Sequence, residues 1–343
     1  SVLFGDVFRA FSPWRALARA AAWIAGRVRS GSLPEPLPYP PRLGRWPAAV
    51  VILGFAWLEL AYQNKADPRT LAWLALGYAA VQLIGMSLYG IEAWSTRADG
   101  FGALFGLYGR LAMLTRRGRT VYGRPPLAGA PPLERLPGTV ALLCVAIGTT
   151  TFDGFSNGPV WVDLQSSLLR FFRDLGAGIG SAGQWSSTVG LAACVAVISG
   201  FYALGIRGMR TVGGDHDTAD LRARFVHTLI PIAFAYALAH YFSLFAFTGQ
   251  QMKYLVSDPL GHGSDLFGTA HASIDYFISA TGVWYVQVGA LVTGHVAGLV
   301  LAHDRALALY TDARDAVRSQ GWMLVVMVGF TSLGLWLLSA VNQ

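Results

Sequence analysis

The groups best able to do chemistry in this chain are histidines and carboxylates set within or at the rim of long apolar runs. An ionisable side chain in lipid is costly and by default marks function. Glu59 lies near the end of one apolar run, with Gln63 one turn on. Asp153 closes another in TTTFDGFSNGPVW, His240 lies toward the end of a third, and Asp275 opens a fourth. The loop before that run, DPLGHGSDLFGTAHASID, adds His262, Asp265 and His271. His271 and Asp275 are four residues apart, so a helix beginning one turn before Ile274 sets both on one face. An imidazole and a carboxylate so placed can share a divalent metal ion or form a hydrogen-bonded acid/base pair. The expected site is therefore Glu59, Asp153, His240, His262, His271 and Asp275, with His271, Asp275 and His240 as the ligands of any metal. A plainer alternative stands beside it. Asp275 would cap a helix or sit in headgroup water, and Asp153 would start a turn before Gly154. No HExxH-type motif is present.

A second set lies deeper. Gln82, Gln287 and His295 fall near mid-depth of their runs. Glu92, His227, His303 and Asp304 fall toward the opposite ends and read as structural: HDR at a helix terminus suits the negative end of the dipole. GHVAG lets another helix approach closely at Gly294 and Gly298, with His295 expected to hydrogen-bond across that contact. Haem is disfavoured. His227 and His240 are 13 apart, as in membrane b-type cytochromes, but His295 and His303 are only eight apart and give no second pair. Cys144 and Cys194 both lie in apolar runs and read as small core residues rather than a disulfide.

The elements that position these residues are membrane helices. The 343 residues are 54% hydrophobic and 13% charged, about half the charge of a soluble domain, and mean hydropathy is +0.45. A crossing needs ~20 apolar residues and must be helical, because lipid offers no partner to an open backbone. Seven runs qualify: Trp46–Asn64, Leu71–Trp94, Gly138–Ser156, Trp185–Ile206, Ala223–Phe247, Ile274–Ala302 and Gly321–Val341. With the amino end inside and strict alternation, the inner segments hold 21 of the 26 Lys and Arg and the outer ones five, which is the positive-inside bias. The expected fold is thus an all-α polytopic bundle of about seven spanning helices in the cytoplasmic membrane, with the carboxyl end outside. The net charge of +7 is loop charge on this reading, so the partners are the lipid bilayer and other membrane proteins, not nucleic acid.

Residues 1–45 form a separate amino-terminal segment, and residues 46–343 the bundle. Arg9, Arg15, Arg19, Arg27 and Arg29 recur among Phe, Trp and Ala, as in an interfacial amphipathic helix, and PLPYPP comes next as an extended linker. GFGALFGLYGRLAML reads as a surface-lying helix, with a re-entrant hairpin as the alternative, and WVDLQSSLLRFFRDLGAG as an amphipathic outer helix. The chain begins at Ser1 without a signal peptide's basic start or cleavage site, so an upstream segment is expected.

Three stretches together resemble a known family: SVLFGDVFRAFSPWRA, GTVALLCVAIGTTTFDGFSNGPVW and HVAGLVLAHDRAL. They are similar to polytopic actinobacterial membrane proteins described as fenitrothion hydrolase, along the whole chain. The resemblance implies hydrolysis of an organophosphate triester and further hydrophobic segments ahead of the first stretch. It assigns no catalytic residue. Three functions remain open: a membrane-embedded hydrolase or metalloenzyme using the His/Asp cluster; a small-molecule or ion permease, with Gln82 and Gln287 near the midplane and helices broken at Gly154 and Gly282; and a structural subunit of a membrane complex.

Overall fold

Arg45 leads into α3 (Trp46–Leu60), where Pro47 in the first turn costs no hydrogen bond. This third helix comes after two amino-terminal ones, α1 (Val7–Phe11) and α2 (Pro13–Val28). The computed structural model describes residues 3–28, 34–117, 120–212 and 217–341. Helix α3 is apolar but only 15 residues long, about 22 Å, which falls short of a ~30 Å hydrocarbon core. Among the described residues six other helices are long and apolar enough to cross a membrane. Each of the seven expected apolar runs thus has its helix: six long ones and the shorter α3.

The six are α4 (Pro68–Tyr89), α7 (Thr139–Ser156), α9 (Ile179–Arg210), the composite Thr218–Ala246, α13 (Ala280–Leu309) and α14 (Ala313–Val341). The composite joins α10 (Thr218–Phe225) to α11 (Leu229–Ala246) through a tight turn, Val226–Thr228. Pro231 explains the turn, since it has no N–H to donate to the carbonyl four residues back and its ring crowds that carbonyl. The other helices are α5 (Ile91–Arg97), α6 (Gly100–Tyr108), α8 (Pro159–Asp174) and α12 (Met252–Ser257). Several helices run past the apolar limits read from the sequence. Helix α9 has 32 residues and α14 has 29, because backbone pairing does not stop at the hydrocarbon edge.

Helix α7 lies at the centre, packed by α3, α9 and α11, and 56% of its apolar window is buried. Helix α11 seats tightly on α13. A Cβ added at Gly294 would lie 2.2 Å from the Cβ of Ala235, so only glycine fits that crossing. Helix α4 has the opposite character. Only 17% of its window is buried, and it exposes Leu71, Trp73, Leu76, Val81, Ile84 and Leu88, a surface suited to acyl chains.

The second expected run, to Trp94, is corrected by the fold. Gly90 at φ +85° ends α4, and α5 runs back along it. The indole of Trp94 donates to Gln82 Oε1 at 2.9 Å and covers Gly85. Asp99 at the apex accepts the Tyr78 hydroxyl at 2.7 Å, midway along α4, and α6 then returns against α3. GFGALFGLYG is therefore half of a helical hairpin packed on α3 and α4, the form of the expected alternative. Beyond α6 the chain forms a β-hairpin, β1 (Leu114–Arg117) with β2 (Thr120–Gly123), an element that hydropathy does not foretell.

The amino-terminal segment is amphipathic and tied down. Arg15 is 3% exposed, and its guanidinium meets Glu92 at 2.5 Å, where Arg9 and Arg19 also reach. These hydrogen bonds and charges, Arg15 foremost, hold the Glu92 carboxyl below the ordinary glutamate range. Residues 34–40 are extended, and Leu37 N–H donates to the Leu88 carbonyl at 2.7 Å. Helix α8 is the expected amphipathic one and buries Trp161 edge-on against Phe152 at 5.0 Å.

Candidate functional site

Three of the six expected residues come together where α3, α7 and α11 meet. His240 on α11 places Nε2 2.6 Å from Asp153 Oδ2 on α7. Both side chains are about a quarter exposed, at 26% and 23%, so the pair is neither sealed nor fully solvated. Glu59, at the end of α3, lines the same cavity as Asp153.

The local sequence explains how a polar stretch is tolerated here. Thr150 and Thr151 donate their hydroxyls to the carbonyls of Ala146 and Ile147, at 2.9 and 2.8 Å. Each thus satisfies itself on its own helix. Ser156 Oγ and Asn157 Nδ2 both donate to the Asp153 carbonyl at 2.8 Å, closing the last turn. Helix α7 runs unbroken through Gly154, and Gly282 falls in the first turn of α13. The expected helix breaks at these two glycines do not occur: α7 continues past Gly154, and Gly282 lies in the capped first turn of α13.

The pair borders two cavities that share Thr150. The first, about 460 Å³, is walled mainly by aromatic and aliphatic side chains such as Phe55, Phe105, Phe234 and Phe245, with Glu59, Asp153, Thr149, Thr150, Tyr108 and Tyr241 as its polar groups. The second, about 390 Å³, is more polar and includes His240, Thr151, Asn157, Ser243 and Gln287. Gln287 Nε2 donates to the Ala239 carbonyl at 3.0 Å, pinning α13 beside His240. Nε2 of His240 faces the carboxylate, and Nδ1 has no partner among the described residues. Nε2 is thus the nitrogen that donates to the carboxylate, and Nδ1 is the one left for another partner.

The remaining expected residues lie elsewhere. Helix α13 begins only at Ala280, with the Ser279 hydroxyl accepting Gly282 N–H at 3.1 Å. His271 and Asp275 are therefore exposed loop residues and not neighbours on one helical face. The cause is visible: the Gln250 side chain bonds both the N–H and the carbonyl of Asp275, at 3.0 and 2.8 Å, and holds that segment extended. His262 is also exposed, its N–H on Asp258 Oδ1 at 2.9 Å. Backbone donors on Asp258, Gly263 first, hold its carboxyl below the usual range, and Ala270 N–H does the same for Asp265. Among the described residues no group of three His, Cys, Asp or Glu is arranged to hold a metal ion. The expected ligand set of His271, Asp275 and His240 does not fit one.

The deeper polar residues other than Gln287 line neither cavity. Gln82 is fully buried against Trp94. His295 Nδ1 bonds the Leu291 carbonyl of its own helix at 2.8 Å and not, as expected, a group across the contact. Its ring packs against Tyr236 and Phe330. His303 meets Gln320 at 3.2 Å, and His227 is buried. Cys144 and Cys194 are free thiols. Sequence reasoning missed Tyr241, whose ring lies 4.8 Å from that of His240; a hydroxyl beside a membrane histidine is the signal for it. It also missed Asp99, which stood outside the apolar runs but is 1% exposed. No family model, curated protein or solved structure matches this chain.

Proposed function

We propose that the chain is a membrane-embedded hydrolase of a neutral, apolar ester, a phosphotriester by its family resemblance, with His240 as general base and Asp153 as the group that orients it. The carrying observation is the 2.6 Å contact between His240 Nε2 and Asp153 Oδ2 at the border of an apolar and a polar cavity. An uncharged substrate would partition from the bilayer into the aromatic cavity, and water would enter from the polar one. Nδ1 of His240 takes a proton from water as the water oxygen bonds to phosphorus. The alcohol or phenol oxygen leaves with the electrons of the broken P–O bond and accepts the proton back. Asp153 stabilises the imidazolium between the two transfers. The membrane on this reading is the cytoplasmic one, with the arginine-rich end of the bundle inside and the site toward the outer face.

The test is nitrophenolate release from a neutral nitrophenyl phosphotriester by the protein in proteoliposomes. His240→Asn should cut the rate by roughly 10²–10⁴, the share of a general base, while yield and melting temperature hold. Unchanged release from His240→Asn, or none from the parent, overturns the reading.

One observation favours a permease as the second reading. The polar cavity reaches Tyr236 and Leu291, near the middle of α11 and about three turns into α13, the depth at which transporters hold substrate. It would show as uptake of intact solute into vesicles with no bond cleaved.

A further inference from the structure

The arginine-rich end of the bundle carries a second site-like feature, away from His240. There α3 and α7 begin side by side while α9 ends and α10 begins. The gap between them is a groove of about 790 Å³. Its floor is apolar and built from small residues: Val140, Ala141 and Cys144 on α7, Gly200 and Ala203 on α9. Trp46, 51% exposed, stands at its lip.

The mouth is basic. Arg135 and Arg222 line it. Arg135 reaches Asp220 at 3.4 Å, but Arg224 is the closer partner of that carboxylate. Arg222 has no hydrogen-bond or ion-pair partner for its guanidinium among the described residues. Behind the wall Arg45 is 7% exposed; it donates to Thr139 Oγ1 at 2.9 Å, and its Nε has no acceptor. Glu134 is engaged by Arg97 at 3.3 Å, and Asp217 lies on the outer side of Arg222, in a hollow it shares with Arg207 and Arg210. Positive charge is thus in excess at the rim of a furrow too apolar for a free anion.

We propose that this groove binds an anionic glycerophospholipid. Its phosphate lies at Arg135 and Arg222, its ester region beside Trp46, and one acyl chain runs along Ala141, Cys144 and Ala203. Basic pockets between membrane helices take such headgroups, an indole favours the interfacial level, and small side chains leave room for a chain. The inference does not depend on the chemistry assigned to His240.

The experiment is lipid retention by the full chain, delipidated in detergent and titrated with phosphatidylglycerol or phosphatidylcholine, read by native mass spectrometry. Phosphatidylglycerol should be retained preferentially. That preference should fall about thirtyfold in Arg135→Gln/Arg222→Gln, the share of two arginines at a charged headgroup. Ala203→Phe, which fills the furrow but leaves the charges, should weaken retention of phosphatidylglycerol as well. Arg170→Gln, at the other end of the bundle, should change nothing. Equal retention of the two lipids, an undiminished preference in the double variant, or displacement of the lipid by inorganic phosphate would overturn the proposal.

Discussion

At the scale of single residues, the contact between His240 and Asp153 makes a specific demand. Asp153→Asn keeps the size of the side chain but removes the charge that steadies an imidazolium, and it lets the amide turn a donor toward His240. Hydrolysis should fall by roughly 10²-fold or more, with the bundle still folded by circular dichroism. Gly294 makes a steric demand instead. Gly294→Leu drives a side chain into Ala235 and the Pro231 carbonyl, and should cost about 1–3 kcal/mol or more by overpacking, read as a loss of detergent stability. Of the residues singled out from sequence, Glu59, Asp153 and His240 were legible because a carboxylate or imidazole in an apolar run stands out. Tyr241 and Asp99 were not, since one looks like an ordinary aromatic and the other lay outside the apolar windows. His271 and Asp275 looked paired only because helical spacing was extended past the point where Ser279 caps α13.

Elements show where hydropathy reads well and where it misleads. The apolar runs found α7, α9, α11, α13 and α14 in order, because lipid leaves helix as their only backbone solution. Hydropathy could not see Gly90, whose positive φ folds α5 back, since Trp94 is as apolar as the residues before it. Glu92 on that returning helix gathers Arg9, Arg15 and Arg19. Glu92→Gln should therefore loosen α1 and α2. With Glu92 half exposed the cost should be about 1–3 kcal/mol, below the ~3–5 of a fully buried pair, seen as faster hydrogen exchange in residues 7–28. The loop before α13 has its own pH signature. Asp258 and Asp265 accept backbone N–H bonds that hold their carboxyls low. The order they supply is complete above the unfolded value near 4 and is lost as pH falls through the lower folded value. Amide protection at Gly263 and Ala270 should be flat from about pH 7 to 5 and fall only below about 4; protection lost near pH 6 would point to a histidine instead.

For the whole molecule, the all-α membrane bundle was legible from composition and its helices from the seven apolar runs, while their lengths were not. Six helices have the length, and α3 lacks it, because its apolar run ends in turns at residues 61–66 and not in more helix. The site nevertheless sits where three helices converge, so the proposed chemistry stands or falls on His240 and Asp153 acting as one unit. The most direct measurement is a double-mutant cycle on phosphotriester hydrolysis in proteoliposomes, using His240→Asn, Asp153→Asn and the two combined. The combined variant should be no slower than His240→Asn alone, since Asp153 works only through the imidazole. Rates that multiply independently, or a His240→Asn protein as fast as the parent, would contradict that coupling.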